Sequence, residues 1–249
     1  MKDYTLKDRS YIIISTVVLI LLWKITSIMV GRSIIIPSPE ETLENLVTIL
    51  MSTDFLRAVM STLTRVLIGF SLSFLLALIL GIISAFVTPF YYLLKPIVLL
   101  QKSVPTMAII LLAIIWLDSE MAPILVGFLV IFPIIYSAVV QGVRDMDPKL
   151  IEMANVYELS VYTKVMRIYI PAIRSSLFSV ISTALGLNLK ITIAAEVLSQ
   201  PNISIGTSFQ IEKSTLNTAG VFAWSLIAIF IAALFDMIIK YFKKKYVHH

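Results

Sequence analysis

An all-α membrane protein with six transmembrane helices is the fold this 249-residue sequence predicts, and three observations predict it. Hydrophobic residues make up 59% of the chain and charged residues 14%, with a mean hydropathy of +0.95. Soluble domains hold roughly 45–50% apolar and about 25% charged residues, so most of the solvent here must be lipid. Apolar runs recur along the whole chain, and about 20 such residues cross a hydrocarbon core. Lysine and arginine crowd onto alternate segments between those runs, as they do in membrane proteins.

The first span, 11–30, is broken only by Lys24, which is read as interfacial or paired. No small-residue cleavage site follows it, so it is expected to remain as a span rather than be removed as a signal. The second span, 66–87, and the fourth, 121–143, are free of charge. The third, 96–117, contains Gln101, Lys102 and Pro105, and the fifth, 175–195, carries Lys190 near its end. The sixth, 219–239, holds Asp236, four residues before Lys240 and spaced to pair with it. With no water to satisfy backbone groups in the hydrocarbon, each span must be helical. Together they form a single transmembrane domain, 1–249.

Charge sets the orientation. Lys2, Lys7, Arg9, Lys95, Arg144, Lys149, Lys164, Arg167, Arg174, Lys240, Lys243, Lys244 and Lys245 fall on one side; Arg32, Arg57 and Lys213 fall on the other. That asymmetry puts both termini in the cytoplasm of a multi-pass protein of the inner or plasma membrane. The terminal lysines are then a topology signal and a headgroup contact rather than a nucleic-acid site. Cysteine is absent, which excludes a disulfide framework, a thiolate metal site and a cysteine nucleophile. The two histidines, His248 and His249, read as a tag remnant, so no histidine–metal site and no Ser-His pair is expected within the membrane.

The longest cytoplasmic segment, 144–174, has the pattern of a short helical hairpin. Asp147 caps and Pro148 starts a first helix, with Leu150, Ile151, Ala154 and Tyr157 along one face. Ser160 caps a second, with Val161, Val165 and Ile168 along one side, and Pro171 is expected to end it. Such a hairpin either lies on lipid or docks a soluble partner in a groove.

Two stripes run along the spans. Gly69, Ser73, Ala77, Gly81 and Ala85 recur at every fourth position of the second span, a pattern for close helix packing. Ser175, Ser179, Ser182, Gly186 and Lys190 form a polar stripe on the fifth. A lysine facing lipid is costly, so Lys190 faces the bundle interior, snorkels, or pairs with Glu196. Lys102 invites the same reading, and Glu196 is read as structure, pathway or outer gate, structure being preferred.

The sequence Glu152-Met153-Ala154, three residues, Glu158, nine residues, then Ile168-Tyr169-Ile170-Pro171 resembles the EAA coupling loop of ABC-importer permeases. It departs from that pattern at Met153, where the family has alanine, and at Glu158, where it has glycine. Glutamate there either adopts a left-handed turn at a cost or uses another turn. Further matches fall in the family's order: Ile36-Pro37-Ser38-Pro39, Ser103-Val104-Pro105 through Ile115-Trp116-Leu117, Phe132-Pro133, Gly142-Val143, Asp147-Pro148 and Ala194-Ala195-Glu196. They are similar to the nitrate, sulfonate and taurine branch; riboflavin and thiamine-precursor pyrimidine permeases look similar too.

The resemblance implies a permease that moves a small polar solute, such as a sulfonate, taurine, nitrate or similar anion, delivered by an extracellular or periplasmic binding protein. It implies a second permease copy or homologous permease, and two cytosolic ATPase subunits that receive Leu150, Ile151, Glu152, Ala154, Tyr157, Glu158 and Pro171. ATP and magnesium would sit on those subunits, since this chain has no Gly-x-x-x-x-Gly-Lys sequence and is expected to catalyse nothing itself. Lys102, Ser179, Ser182, Lys190 and Glu196 are the candidates for the translocation pathway. A secondary transporter or channel without ATPases is the competing class, and it leaves the hairpin unexplained.

Overall fold

The computed structural model describes residues 6–247; His248 and His249 lie outside the described residues, as do the side chains of Ile151 and Ser175. The described residues are all helix and connecting turns: α1 (Leu6–Val30), α2 (Pro39–Met51), α3 (Phe55–Phe86), α4 (Thr88–Ser103), α5 (Thr106–Trp116), α6 (Ala122–Arg144), α7 (Pro148–Val156), α8 (Val161–Lys164), a π-helical turn (Val165–Tyr169), α9 (Ile170–Ser199), α10 (Ile205–Ser214) and α11 (Thr218–Val247). Five stretches are long and apolar enough to cross a membrane: Ser10–Val30, Phe55–Phe86, Ala122–Arg144, Leu177–Ser199 and Thr218–Lys245.

The third expected span differs from its prediction. Where one helix over 96–117 was expected, α4 and α5 meet at an angle of 100°, and they make a sixth span only if the bent pair crosses as one. The break has a local cause. Pro105 cannot donate a backbone hydrogen bond and forces the residue before it out of the helical region, and Val104 sits at φ −69°, ψ 129°. The second span is also longer than its charge-free run, because α3 begins at Phe55 and so takes in Arg57 and Arg65.

Pro171 does not end the second helix of the surface hairpin. The π-helical turn Val165–Tyr169 shifts the hydrogen-bond step, with Ile170 N–H donating to Val165 O, and Pro171 falls in the first turn of α9. A missing N–H is harmless there. The chain therefore runs helically from the hairpin into the fifth span without a stop.

α6 lies at the centre, packed between α3 and α9. Its contact with α3 is close because small residues line it. A Cβ on Gly69 would come within 2.9 Å of Ile124 O, and one on Gly81 within 2.8 Å of a Val139 methyl. Ser73 and Ala77 are buried between them, Ser73 donating to Phe128 O at 2.7 Å, while Ala85 is half-buried. Tyr136 donates to Ser84 at 2.8 Å. From α9, Asn188 donates to Val66 O at 2.8 Å and ties that helix to α3.

α1 stands apart, exposing Tyr11 to Leu22 along its length. Its C-terminal end is held by several contacts. Trp23 donates to Pro37 O at 2.9 Å and stacks on Phe222, Ser27 donates to Ile36 O, and Lys24 pairs with Glu40 at 2.7 Å. The Ile36-Pro37-Ser38-Pro39 sequence has a structural use: Ser38 and Glu41 form a reciprocal capping box at the start of α2, with Pro39 in its first turn.

Candidate functional site: a buried ion network and a surface hairpin

The candidates named from sequence do not converge on one place. Ser182 donates to Asp236 at 2.6 Å, Lys243 donates to Ser179 at 2.7 Å, and Asp236 pairs with Lys240 at 2.5 Å. Ser179 and Ser182 of the polar stripe thus meet the charged C-terminal part of α11. Lys102, on the last turn of α4, donates to Ser137 on α6 at 2.7 Å. Lys190 is exposed and forms no ion pair among the described residues. The pairing of Lys190 with Glu196, one of the alternatives open from sequence, is not what the structure contains.

Glu196 is instead fully buried, and its partner is Arg65, a residue the sequence reading did not single out. Arg65 Nη1 donates to Glu196 Oε1 at 2.7 Å, and its Nη2 donates to Glu120. The other Glu196 oxygen accepts from Thr62 Oγ1 at 2.9 Å and from Gly206 N–H at 3.2 Å. Thr62 in turn accepts from Ile205 N–H at 3.0 Å, and Glu120 accepts from Asn202 N–H at 3.0 Å. A buried carboxylate is tolerable only with such partners. Here they include the Gly206 N–H in the first turn of α10, where N–H groups lack intrahelical acceptors and favour negative charge. The network fastens α3, α9, the 117–121 turn and α10 together.

The rule that a charge in a span needs a partner pointed to a cation for Glu196. Lys190 was the candidate near in sequence; Arg65, 131 positions away, gives no local signal. Outside the spans, burial works to raise the pKa of Glu120, but hydrogen bonds from Arg65 and Asn202 outweigh it and hold the carboxyl below its ordinary value. Glu40 is also lowered, chiefly by the hydrogen bond from Lys24.

The 144–174 segment folds into the α7–α8 pair. Glu158 takes the left-handed conformation at φ 48°, and Leu159 N–H closes across it onto Ala154 O at 3.1 Å, the bond pattern of a Schellman helix end. A glycine would hold this geometry without the roughly 1–2 kcal/mol that a left-handed side-chain-bearing residue costs. Leu150, Met153, Val156 and Tyr157 are exposed, Tyr157 at 72% and Val156 at 80%, and Glu152 is exposed beside them. Ala154 is buried at 1% and faces the body of the protein. Pro171 is exposed at the start of α9. Among the described residues no cluster of three or more His, Cys, Asp or Glu could hold a metal ion.

Comparison with known proteins adds a family to this geometry. The family described as "Binding-protein-dependent transport system inner membrane component" matches residues 77–248. The taurine transport system permease protein TauC of Escherichia coli K12 is 24% identical over 227 residues, 89% of this chain and 82% of TauC. The nitrate import permease protein NrtB of Synechocystis sp. is 26% identical over 196 residues, 74% of this chain and 70% of NrtB. Among solved structures, a chain of the inward-facing MetNI methionine ABC transporter superposes with a TM-score of 0.69 over 78% of this chain and 99% of its own, at 14% identity. That likeness is one of fold.

Proposed function

The chain belongs to the binding-protein-dependent transport system inner membrane component family, the permeases of ABC importers, and we propose that the small polar solute it moves is an anion such as a sulfonate, taurine or nitrate. As a permease subunit it is not itself an ATPase. The names of its relatives TauC and NrtB support the choice of solute, and so do Lys102 and Lys190, which form no ion pair among the described residues. ATP and magnesium belong, in this reading, to two cytosolic ATPase subunits, and solute reaches the permease pair from a binding protein on the opposite face. Lys190, exposed on α9, is in this reading the pathway residue of that helix, and the hydrogen bonds of Ser179, Ser182 and Glu196 support a structural role for those three.

One observation carries the coupling half of the proposal. The exposed apolar face of α7 is joined by the tight 157–160 turn to α8, from which the helical run 161–199 continues without a break into α9, about 60 Å at roughly 1.5 Å per residue. A groove on an ATPase that holds Leu150, Met153 and Tyr157 would therefore move α9 when nucleotide closes the ATPase pair. Glu152 and Glu158 would rim the contact, and Ala154 and Pro171 would shape it from behind.

Tyr157→Asp tests this. Placing a charge at the centre of an apolar contact costs on the order of 2 kcal/mol or more, a loss of about thirtyfold in affinity. Co-purified ATPase is expected to fall by that factor while the permease keeps its membrane abundance and its melting temperature. Ala154→Arg is a poorer probe, because Ala154 is buried and the change would disturb the hairpin itself. A Tyr157→Asp complex that survives purification and hydrolyses ATP normally would show that another surface docks the ATPase.

The proposed orientation has its own test. Val156→Cys introduces the sole thiol of the chain at a well-exposed position of the hairpin. An impermeant thiol reagent is expected to leave it unlabelled in intact cells and to label it in inverted vesicles. Labelling from outside intact cells would reverse the topology.

A further inference from the structure

A cleft of 270 Å³ opens between α4 and α6, lined by Tyr91, Lys95, Leu99, Lys102, Ser137 and Gln141 among others. Lys95 and Lys102 lie two helical turns apart on one face of α4. The Arg144 guanidinium caps the same face, 3.7 Å above the Tyr91 ring. Among the described residues none of these three cations forms an ion pair. The nearby carboxylate of Asp145 accepts from Gln141 at 2.7 Å. Lys102 spends one donor on Ser137, whose own hydroxyl is committed to Pro133 O, and Lys95 lies over the Tyr92 ring at 5.7 Å.

The C-terminal dipole of α4 accounts for Lys102. It does not account for Lys95 in mid-helix or for Arg144 on another helix. Lys95, Lys102 and Arg144 are all exposed, and three cations on one face without a carboxylate between them set a positive potential that favours an anion. A volume of 270 Å³ holds about nine waters at about 30 Å³ each, room for a small oxyanion that keeps part of its hydration.

We propose that the α4–α6 cleft is an anion site on the translocation route, where a sulfonate- or nitrate-sized oxyanion rests between Lys95 and Lys102 beneath Arg144. The proposal rests on the reading of the solute as an anion. Lys102 precedes the 100° break by two residues, so a change in that bend would move it relative to Lys95 and open or close the site. Lys190 has no part in it.

Leu99→Cys tests the site in membrane vesicles carrying the full chain, since Leu99 lines the cleft and is 62% exposed. The rate of modification by an anionic methanethiosulfonate is compared with that of its trimethylammonium analogue. The anionic reagent is expected to gain at least about tenfold from the local potential. Lys95→Gln/Lys102→Gln should abolish that preference, and Lys95→Arg/Lys102→Arg, which keeps the charges if the first pair fails to insert, should retain it. Millimolar ethanesulfonate or nitrate should slow labelling where mannitol does not. No labelling, equal rates for the two reagents, or no protection by either anion would overturn the site. Uptake of the same anions is measured separately. Uptake with unprotected labelling removes the site and leaves the anion reading; protection without uptake keeps the site and removes that reading.

Discussion

Arg65→Met is expected to cost about 3–5 kcal/mol and to empty the membrane of folded protein, because it strands a fully buried carboxylate. Glu196 would keep the hydroxyl of Thr62 and the Gly206 N–H but lose its cation, and Glu120 would lose the same guanidinium. Arg65→Lys is not a rescue, since a single ammonium cannot fork between two carboxylates as the guanidinium does. Arg65→Met combined with Glu196→Gln should recover much of the loss. An uncharged amide still accepts from Thr62 and Gly206 and carries no desolvated charge. Membrane abundance and the melting temperature of purified protein check the series. A lone Arg65→Met that melts within about 1 kcal/mol of the parent would mean that water, not Arg65, compensates Glu196.

The helices were legible in the sequence because lipid permits little else. A charge-free apolar run in a chain without a soluble core has one conformation open to it, so α6 and α11 fall close to where hydropathy puts them. Ends were less legible. α3 starts eleven residues before its charge-free run because Arg65, buried in its ion network, does not end the helix; the rule that charges bound spans fails for a charge that is paired inside. The proline rule worked once and failed once. Pro105 breaks the third span because Val104 yields to the extended region, whereas Pro171 breaks nothing because a π turn before it absorbs the lost hydrogen bond. The two cases differ in the turn that precedes each proline, which composition does not encode.

Long-range pairing was the least legible of all. Lys190 and Glu196 share a helix, and that closeness made them the natural pair. Positions six apart nevertheless leave an α-helix about 120° apart, at roughly 100° per residue, so the two side chains lie on different faces. Lys190 is exposed and Glu196 has no exposure at all. The cation that meets Glu196 therefore comes from another helix, Arg65 on α3.

Gly206→Ala is expected to be the most damaging single methyl group that can be added to this chain, and Gly186→Ala one of the least. A Cβ on Gly206 would stand 2.3 Å from Glu196 Cβ, 2.6 Å from Val197 N and 2.7 Å from Ile193 O. Two of those atoms are backbone, so α10 itself must lift from α9. Overpacking of that kind costs about 1–3 kcal/mol. Lifting α10 also draws the Gly206 and Ile205 N–H groups away from Glu196 and Thr62, and a hydrogen bond to a buried charge is worth roughly 1.5–3 kcal/mol. The two effects together predict a loss of about 3 kcal/mol or more. Gly186 offers the opposite case on α9, with nothing within 4 Å of its Cβ, so alanine there adds only helix propensity, about 1 kcal/mol in favour of folding. If the damage at Gly206 runs through Glu196, it should shrink when Glu196→Gln is present, because the amide has less to lose when α10 moves. Losses from Gly206→Ala and Glu196→Gln that simply add would reduce the contact to steric crowding alone. Equal melting temperatures for Gly206→Ala and Gly186→Ala would remove the close approach of α10 and α9 altogether.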